Sequence, residues 1–275
     1  MESDLVQRHS GQHVKPVGVF MSDRSPFAPD PATDHASEDI FARAVEAFGG
    51  YPVRSLLASP PTGPNADWAF PAHRVIIEHK QLEADFRKAP AFREREMRLR
   101  SDYASKGKAD IFGRPHNRRQ FERDYIRLYH KPVGQILRKA RAQIRATKDD
   151  LGWSDAKGVV VVSNRHATEL LPLACCMILE AILNADYPEI DGIIYVTNYY
   201  VETPGSDLAN ILWCPVYRTL KGKEPAGDLI QFVDEFGATF FQVNRQKHDV
   251  PQPSVKGGSA EALNAMRSRP IFGRD

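Results

Sequence analysis

The sequence predicts an α/β fold, with a mixed central sheet flanked by helices and a basic helical insertion. Three observations carry that reading. VVVVS (159–163) and IDGIIYVTNYY (190–200) are apolar on both faces, as strands in the middle of a sheet are. The segment between them has a helical stretch over about 169–185, so the three form a strand–helix–strand crossover with parallel strands. ADWAF (66–70) and RVIIEHK (74–80) flank Pro71-Ala72-His73, the pattern of an antiparallel hairpin.

The remaining elements follow in chain order. Residues 1–35 are rich in Pro, Asp, Ser and His and read as a loose arm, within which VGVFM (17–21) can pair as a strand. Ser37 is a candidate N-cap for a helix that places Ile40, Phe41, Ala44, Val45 and Phe48 at helical spacing and ends at Gly49-Gly50. YPVRSLL (51–57) reads as a strand and SPPTGPN (59–65) as a loop. The insertion, about 86–130, reads as helices broken near Pro90 and between Ser105 and Pro115. Phe121, Tyr125 and Leu128 share a helical face, and the aromatics Phe121, Tyr125 and Tyr129 read as core rather than as stacking platforms. Pro132 reads as the start of a new helix with Ile136, Leu137, Ala140 and Ile144 inward. Segments near Leu212–Val216 and Ala238–Val243 read as edge strands, SAEALNAMRS (259–268) as a short surface helix, and 251–275 as a loose tail. The main domain is therefore 36–250, and 275 residues with 42% hydrophobic content are enough for one sizeable core carrying an insertion.

Composition excludes some classes. No run reaches the roughly 18 apolar residues of a membrane span, and the N-terminus lacks the apolar core of a signal peptide. Cys175, Cys176 and Cys214 have neither zinc-ligand spacing nor the pattern of a disulfide framework, so buried thiols in a cytoplasmic protein are expected. The histidines form no metal-binding pair, and no Gly-rich nucleotide loop is present. Asn164-Arg165-His166 follows a central strand and reads as a polar turn.

The net charge of +2 hides an asymmetry. Residues 85–145 carry 18 Lys/Arg against 7 Asp/Glu, whereas the rest of the chain carries 19 against 28. A basic segment on an acidic body suits a partner with phosphates. Arg114, Arg118, Arg119, Arg123, Arg138, Lys139, Arg141 and Arg145 are the candidates to follow a nucleic-acid backbone.

The hairpin carries the chemistry. Side chains alternate along a strand, so Glu78 and Lys80 share a face. A turn centred between Ala72 and His73 sets Asp67 opposite Glu78. Two carboxylates within reach of one cation suit a hard ion such as Mg²⁺ or Mn²⁺, with water and substrate oxygens completing its shell. Lys80 can then hold a water or stabilise charge on a phosphate. Buried ionisable groups are costly as mere structure, since each needs a partner.

Asp67, ten residues, then Glu78-His79-Lys80 resembles the motif of the PD-(D/E)XK, or restriction-endonuclease-like, nuclease superfamily. The context is similar too: Glu38 near the start of a helix, Gly49 at its end, a strand, a Gly/Pro loop and the Asp. Further on, a helix bearing Gln143 precedes a buried strand. The likeness covers residues 37–85 well and 133–200 loosely, with the basic insertion between; Ala66 stands where the family has Pro. The resemblance implies a Mg²⁺-dependent phosphodiesterase acting on nucleic acid, DNA above all. In it Asp67 and Glu78 hold metal, Glu38 joins as a further ligand, Lys80 serves the nucleophile and Gln143 supports the site. It also implies a homodimer as one arrangement. His79 points away from Glu78 and Lys80. Two other readings remain at this stage: an inactive nucleic-acid-binding protein of the same fold, and a partner-binding protein whose insertion grips an acidic protein.

Overall fold

A computed structural model of the chain describes residues 19–22, 33–58, 63–82, 86–110, 113–164, 172–197, 201–202, 209–219, 225–248, 254–255 and 267–268. The elements run β1 (Val19–Ser22), α1 (Thr33–Ala47), β2 (Tyr51–Pro52), α2 (Val53–Leu56), β3 (Trp68–Phe70), β4 (Val75–Leu82), a 3₁₀ turn Phe86–Lys88, α3 (Pro90–Ser105) and α4 (Arg118–Leu151). They continue with β5 (Lys157–Asn164), α5 (Pro172–Asp186), β6 (Gly192–Thr197), β7 (Val201–Glu202), β8 (Ala209–Ile211), β9 (Trp213–Tyr217), α6 (Gly227–His248), β10 (Ser254–Val255) and β11 (Arg267–Ser268).

The fold is α/β. A six-stranded sheet has the order β2-β3-β4-β5-β6-β9; β4, β5 and β6 are parallel, and the outer pairings are antiparallel. The parallel centre is apolar on both faces because helices cover both. Ile76, Val160, Val162 and Ile193 pack with Leu137 and Ile144 of α4 and Leu179 and Leu183 of α5. Val75, Ile77, Val159, Val161 and Ile194 pack with Phe41 and Val45 of α1 and Phe232 and Phe236 of α6. A smaller five-stranded sheet, β10-β1-β8-β7-β11, is antiparallel throughout. Its β1 takes in the last three residues of the VGVFM run. No helix among the described residues is long and apolar enough to cross a membrane.

The hairpin, the crossover and the edge strand at β9 stand where the sequence puts them. Several elements differ. Helix α1 opens at Thr33 rather than after Ser37, so Ser37 lies within the helix instead of capping it. YPVRSLL is a strand only at Tyr51–Pro52. The Ser55 hydroxyl then donates to the Pro52 carbonyl at 2.7 Å and the Val53 N–H to the Asp67 carbonyl at 3.0 Å, which curls the chain into α2. Pro132 lies inside α4 instead of opening a helix. An interior Pro costs about 3 kcal/mol, but the buried stripe of Tyr129, Val133, Leu137, Ala140 and Ile144 runs at helical spacing past it. The Asn117 side chain caps the start of α4 by accepting from Gln120 N–H at 3.0 Å, and Gly152 ends it with φ 64°.

Residues 238–243 belong to α6, not to an edge strand. Their short apolar run fits either period, and the buried Phe232, Phe236 and Phe240 extend the helical one. The expected surface helix over 259–268 lies outside the described residues except at β11, a strand paired with β7. The arm and the tail are likewise described only at β1, the first residues of α1, β10 and β11.

One close approach fixes the spacing of α4 and β5. A Cβ on Gly158 would overlap the Glu189 carbonyl oxygen and lie 2.8 Å from Ile144 Cγ2. Gly158→Ala is therefore expected to lower stability by about 1–3 kcal/mol, the usual range for overpacking, read as a reduced midpoint in urea unfolding.

Candidate active site

The ladder between β3 and β4 pairs Trp68 with Ile77 and Phe70 with Val75, so the turn is centred between Ala72 and His73. Continued by one residue, this register sets Asp67 opposite Glu78. Arg74 takes up a left-handed conformation in the turn, with φ 54°. Its guanidinium is ion-paired with Asp155 and lies 4.7 Å from the centre of the Trp153 ring. The strand itself stops at Trp68. Beyond it the Asp67 carboxylate takes over, with Oδ2 accepting from the His79 backbone N–H at 2.8 Å.

Glu78 is only 1% exposed. One carboxylate oxygen is ion-paired with the Lys80 ammonium, and the other accepts no hydrogen bond. Burial, joined by the negative charge of Asp67, pushes the Glu78 carboxyl up to about 7, against the opposing pull of the Lys80 contact. Lys80 in turn donates to the Gln143 amide oxygen at 2.9 Å. Asp67, Glu78, Lys80 and Gln143 are thus brought together.

Helix α4 holds this group from one side. Gln143, Thr147 and Asp150 follow one another at helical spacing. Gln143 donates to the Asn65 carbonyl at 3.0 Å, Thr147 Oγ1 accepts from Ala66 N–H at 2.8 Å, and Asp150 accepts from the Asn65 amide at 3.0 Å. The Thr147 hydroxyl is itself directed to the Gln143 carbonyl at 2.9 Å. Three residues of one helix face therefore pin the loop that delivers Asp67. Sequence reasoning missed Thr147. Its signal was a hydroxyl at the next position of the apolar stripe Ala140, Ile144.

His79 lies on the opposite sheet face from Glu78 and Lys80, as expected. Its Nε2 is 2.6 Å from Ser163 Oγ and its ring stacks on Phe41 at 4.7 Å. Burial, with the Lys80 charge as a lesser cause, pulls the imidazole down to about 4, so it is neutral at physiological pH. Glu38 sits in α1 three residues before Phe41; its side chain lies outside the described residues.

The basic candidates divide. Arg114, Arg118, Arg119, Arg123, Arg138, Lys139 and Arg145 are exposed. Arg118 reaches Glu122 at 2.7 Å and Arg123 reaches the Gln120 amide oxygen at 2.8 Å. Arg141 differs from its expected role, because a two-pronged ion pair with Glu189 holds it against the segment after α5. Tyr129 is core, as read, with half-buried Tyr125 packed against it, their hydroxyls 3.3 Å apart; Phe121 is half-buried outside the core and meets Tyr103 edge-on at 5.1 Å. Asn164 is not in a turn. It ends β5 fully buried and donates to the Tyr195 hydroxyl at 2.7 Å, while Arg165 and His166 lie outside the described residues. The three cysteines are free and buried.

Comparison with protein families, with curated proteins and with solved structures finds no match to this chain.

The chemistry open to this arrangement follows from its charges. No group of three or more His, Cys, Asp and Glu among the described residues is arranged to hold a metal. Two carboxylates are nonetheless the usual protein share for Mg²⁺, whose other positions go to water and phosphate oxygens. The buried oxygen of Glu78 that accepts no hydrogen bond, beside the exposed Asp67 carboxylate, fits such an ion.

Two outcomes are expected. The folded value of Glu78, about 7, lies above its ordinary 4.5, so the folded state holds an extra proton between the two. Its stabilising contribution is full below 4.5 and is lost as pH rises through 7. Stability in metal-free buffer should fall by up to about 3 kcal/mol across that window; urea melts of Glu78→Gln should lack this component. Thr147→Val leaves the buried Ala66 N–H without an acceptor, at a cost of about 1–3 kcal/mol. Thermal melts and faster hydrogen exchange at the Ala66 amide would register it.

Proposed function

We propose that the protein is a metal-dependent nuclease hydrolysing phosphodiester bonds in DNA, with a restriction-endonuclease-like core. One observation carries the reading: a buried Glu78 with an uncommitted oxygen stands in register with Asp67, and Lys80 lies one pleat further on the same face. The order of elements supports it. A helix followed by Gly49, a short edge strand, a loop ending in Asp67, β3, the Glu78–Lys80 strand, a helix bearing Gln143 and a buried parallel strand follow the order that the resemblance implies, with α2 and α3 interposed.

Asp67 and Glu78 would hold Mg²⁺ or Mn²⁺, and Glu38 would add a ligand. When bound, the ion supplies Lewis acidity, neutralising charge at the scissile phosphate and activating water. The chain's own groups do the rest. Glu78, whose carboxyl is raised by burial and by Asp67, would hold such an ion as the deprotonated carboxylate. Lys80, steadied by Gln143, offers its ammonium to the attacking water or to a phosphate oxygen. Gln143 and Thr147 keep the Asp67 loop at the mouth of the site. Arg138, Lys139 and Arg145, exposed on the same helix as Gln143, attract the backbone in a salt-dependent, sequence-tolerant way.

Supercoiled plasmid should be nicked or linearised in Mg²⁺ and left intact in EDTA. Asp67→Ala and Lys80→Ala should each lower the rate by roughly 100-fold or more. Cleavage indifferent to EDTA and to both substitutions would overturn the assignment.

A further inference from the structure

A groove of about 480 Å³ opens beside the site. Arg54, Leu57, Asp67, Trp68, His79 and Gln81 are among the residues that line it. Asp67 belongs to both the groove and the carboxylate pair, so whatever fills the groove lies directly against the proposed cation site.

We propose that this groove receives an unpaired nucleotide next to the scissile phosphate, which makes single strands and frayed or overhanging ends the substrate class. The proposal rests on the nuclease reading for the identity of that phosphate. Four features argue for it. The volume suits one ligand-sized group and not a duplex. Trp68 is half-buried, giving a fixed indole surface in the groove, and base–aromatic stacking accepts any base once that base has left its neighbours. Arg54 is exposed, and among the described residues no carboxylate takes up its guanidinium, which leaves it to bind a neighbouring phosphate. The third wall is rigid, because the His79 ring is fixed between Ser163 and Phe41. A base pressed there lies between Arg54 and Asp67, so the phosphates on either side would meet Arg54 and the proposed cation.

Binding in EDTA separates this subsite from catalysis. A short labelled single strand, a duplex of the same sequence with an overhang, and a blunt duplex are titrated by anisotropy against the full chain, Arg54→Ala and Trp68→Phe. The groove predicts that the single strand and the overhang bind at least about ten-fold tighter than the blunt duplex, because a flat aromatic wall needs an exposed base. Arg54→Ala should weaken the single strand by about five-fold or more and lower the salt slope by about 0.7, one phosphate contact. Quenching of tryptophan fluorescence on binding should be lost in Trp68→Phe. Equal affinity for all three nucleic acids, or Arg54→Ala and Trp68→Phe behaving as the parent, overturns the groove. Plasmid cleavage in Mg²⁺ is scored in parallel. Cleavage that needs Asp67 but not Arg54 removes the groove and leaves the nuclease. Arg54-dependent binding without any cleavage keeps the groove and removes the nuclease.

Discussion

The structure turns on a carboxylate taken out of water. Removing a charged carboxylate from solvent costs several kcal/mol unless it is paired and hydrogen-bonded, and Glu78 is paired through one oxygen only. Asp67, placed opposite by the hairpin register, raises that cost further. Such an arrangement persists only where the surroundings fix it. β4 lies between β3 and the parallel β5, its register locked from Val75 to Leu82. On one face α4 braces the Asp67 loop through Gln143 and Thr147. On the other, the His79 ring is anchored to Ser163. The fold thus accepts a local electrostatic penalty at Glu78, held in place by the elements on both faces.

Much of this was legible in the sequence because its signals are local. Alternation along ADWAF and RVIIEHK, with Pro71-Ala72-His73 between, was enough to put Asp67 opposite Glu78, since a strand's period of two leaves little freedom once the turn is placed. The buried runs at 159–163 and 190–200 likewise needed only their composition. What escaped depended on tertiary context. Val53–Leu56 turns because the Val53 N–H finds the Asp67 carbonyl, a partner 14 residues away. Pro132 is tolerated because Tyr129 and Val133 are buried on either side of it. The role of Thr147 as an acceptor for Ala66 exists only once α4 is laid against the loop. Arg141 looked like one more surface cation until Glu189, from a different element, claimed it.

The basic segment also looks different once folded. Of its few acids, Glu94, Glu96, Asp102, Glu122 and Asp124 are each paired with a nearby Arg or Lys along their own helices. Exposed pairs of that kind are worth little to stability. They do, however, neutralise charges one by one, so the field that reaches solvent comes from the cations left over. Arg138, Lys139 and Arg145, which make no such pair among the described residues, are exposed in the half of α4 that also carries Gln143.

Because α4 runs unbroken through 34 residues, about 51 Å at the usual rise per residue, it couples the basic insertion, the arm on which its first turns lie, to the Asp67 loop. Gln143, Thr147 and Asp150 grip the Asp67 loop only while the helix keeps its angular phase. Adding or removing one residue anywhere between Pro132 and Ala142 would rotate that grip by about 100° relative to the arm. The length of the rod is thus under a tighter constraint than its surface composition: side chains on its solvent side can drift, but its count of residues cannot.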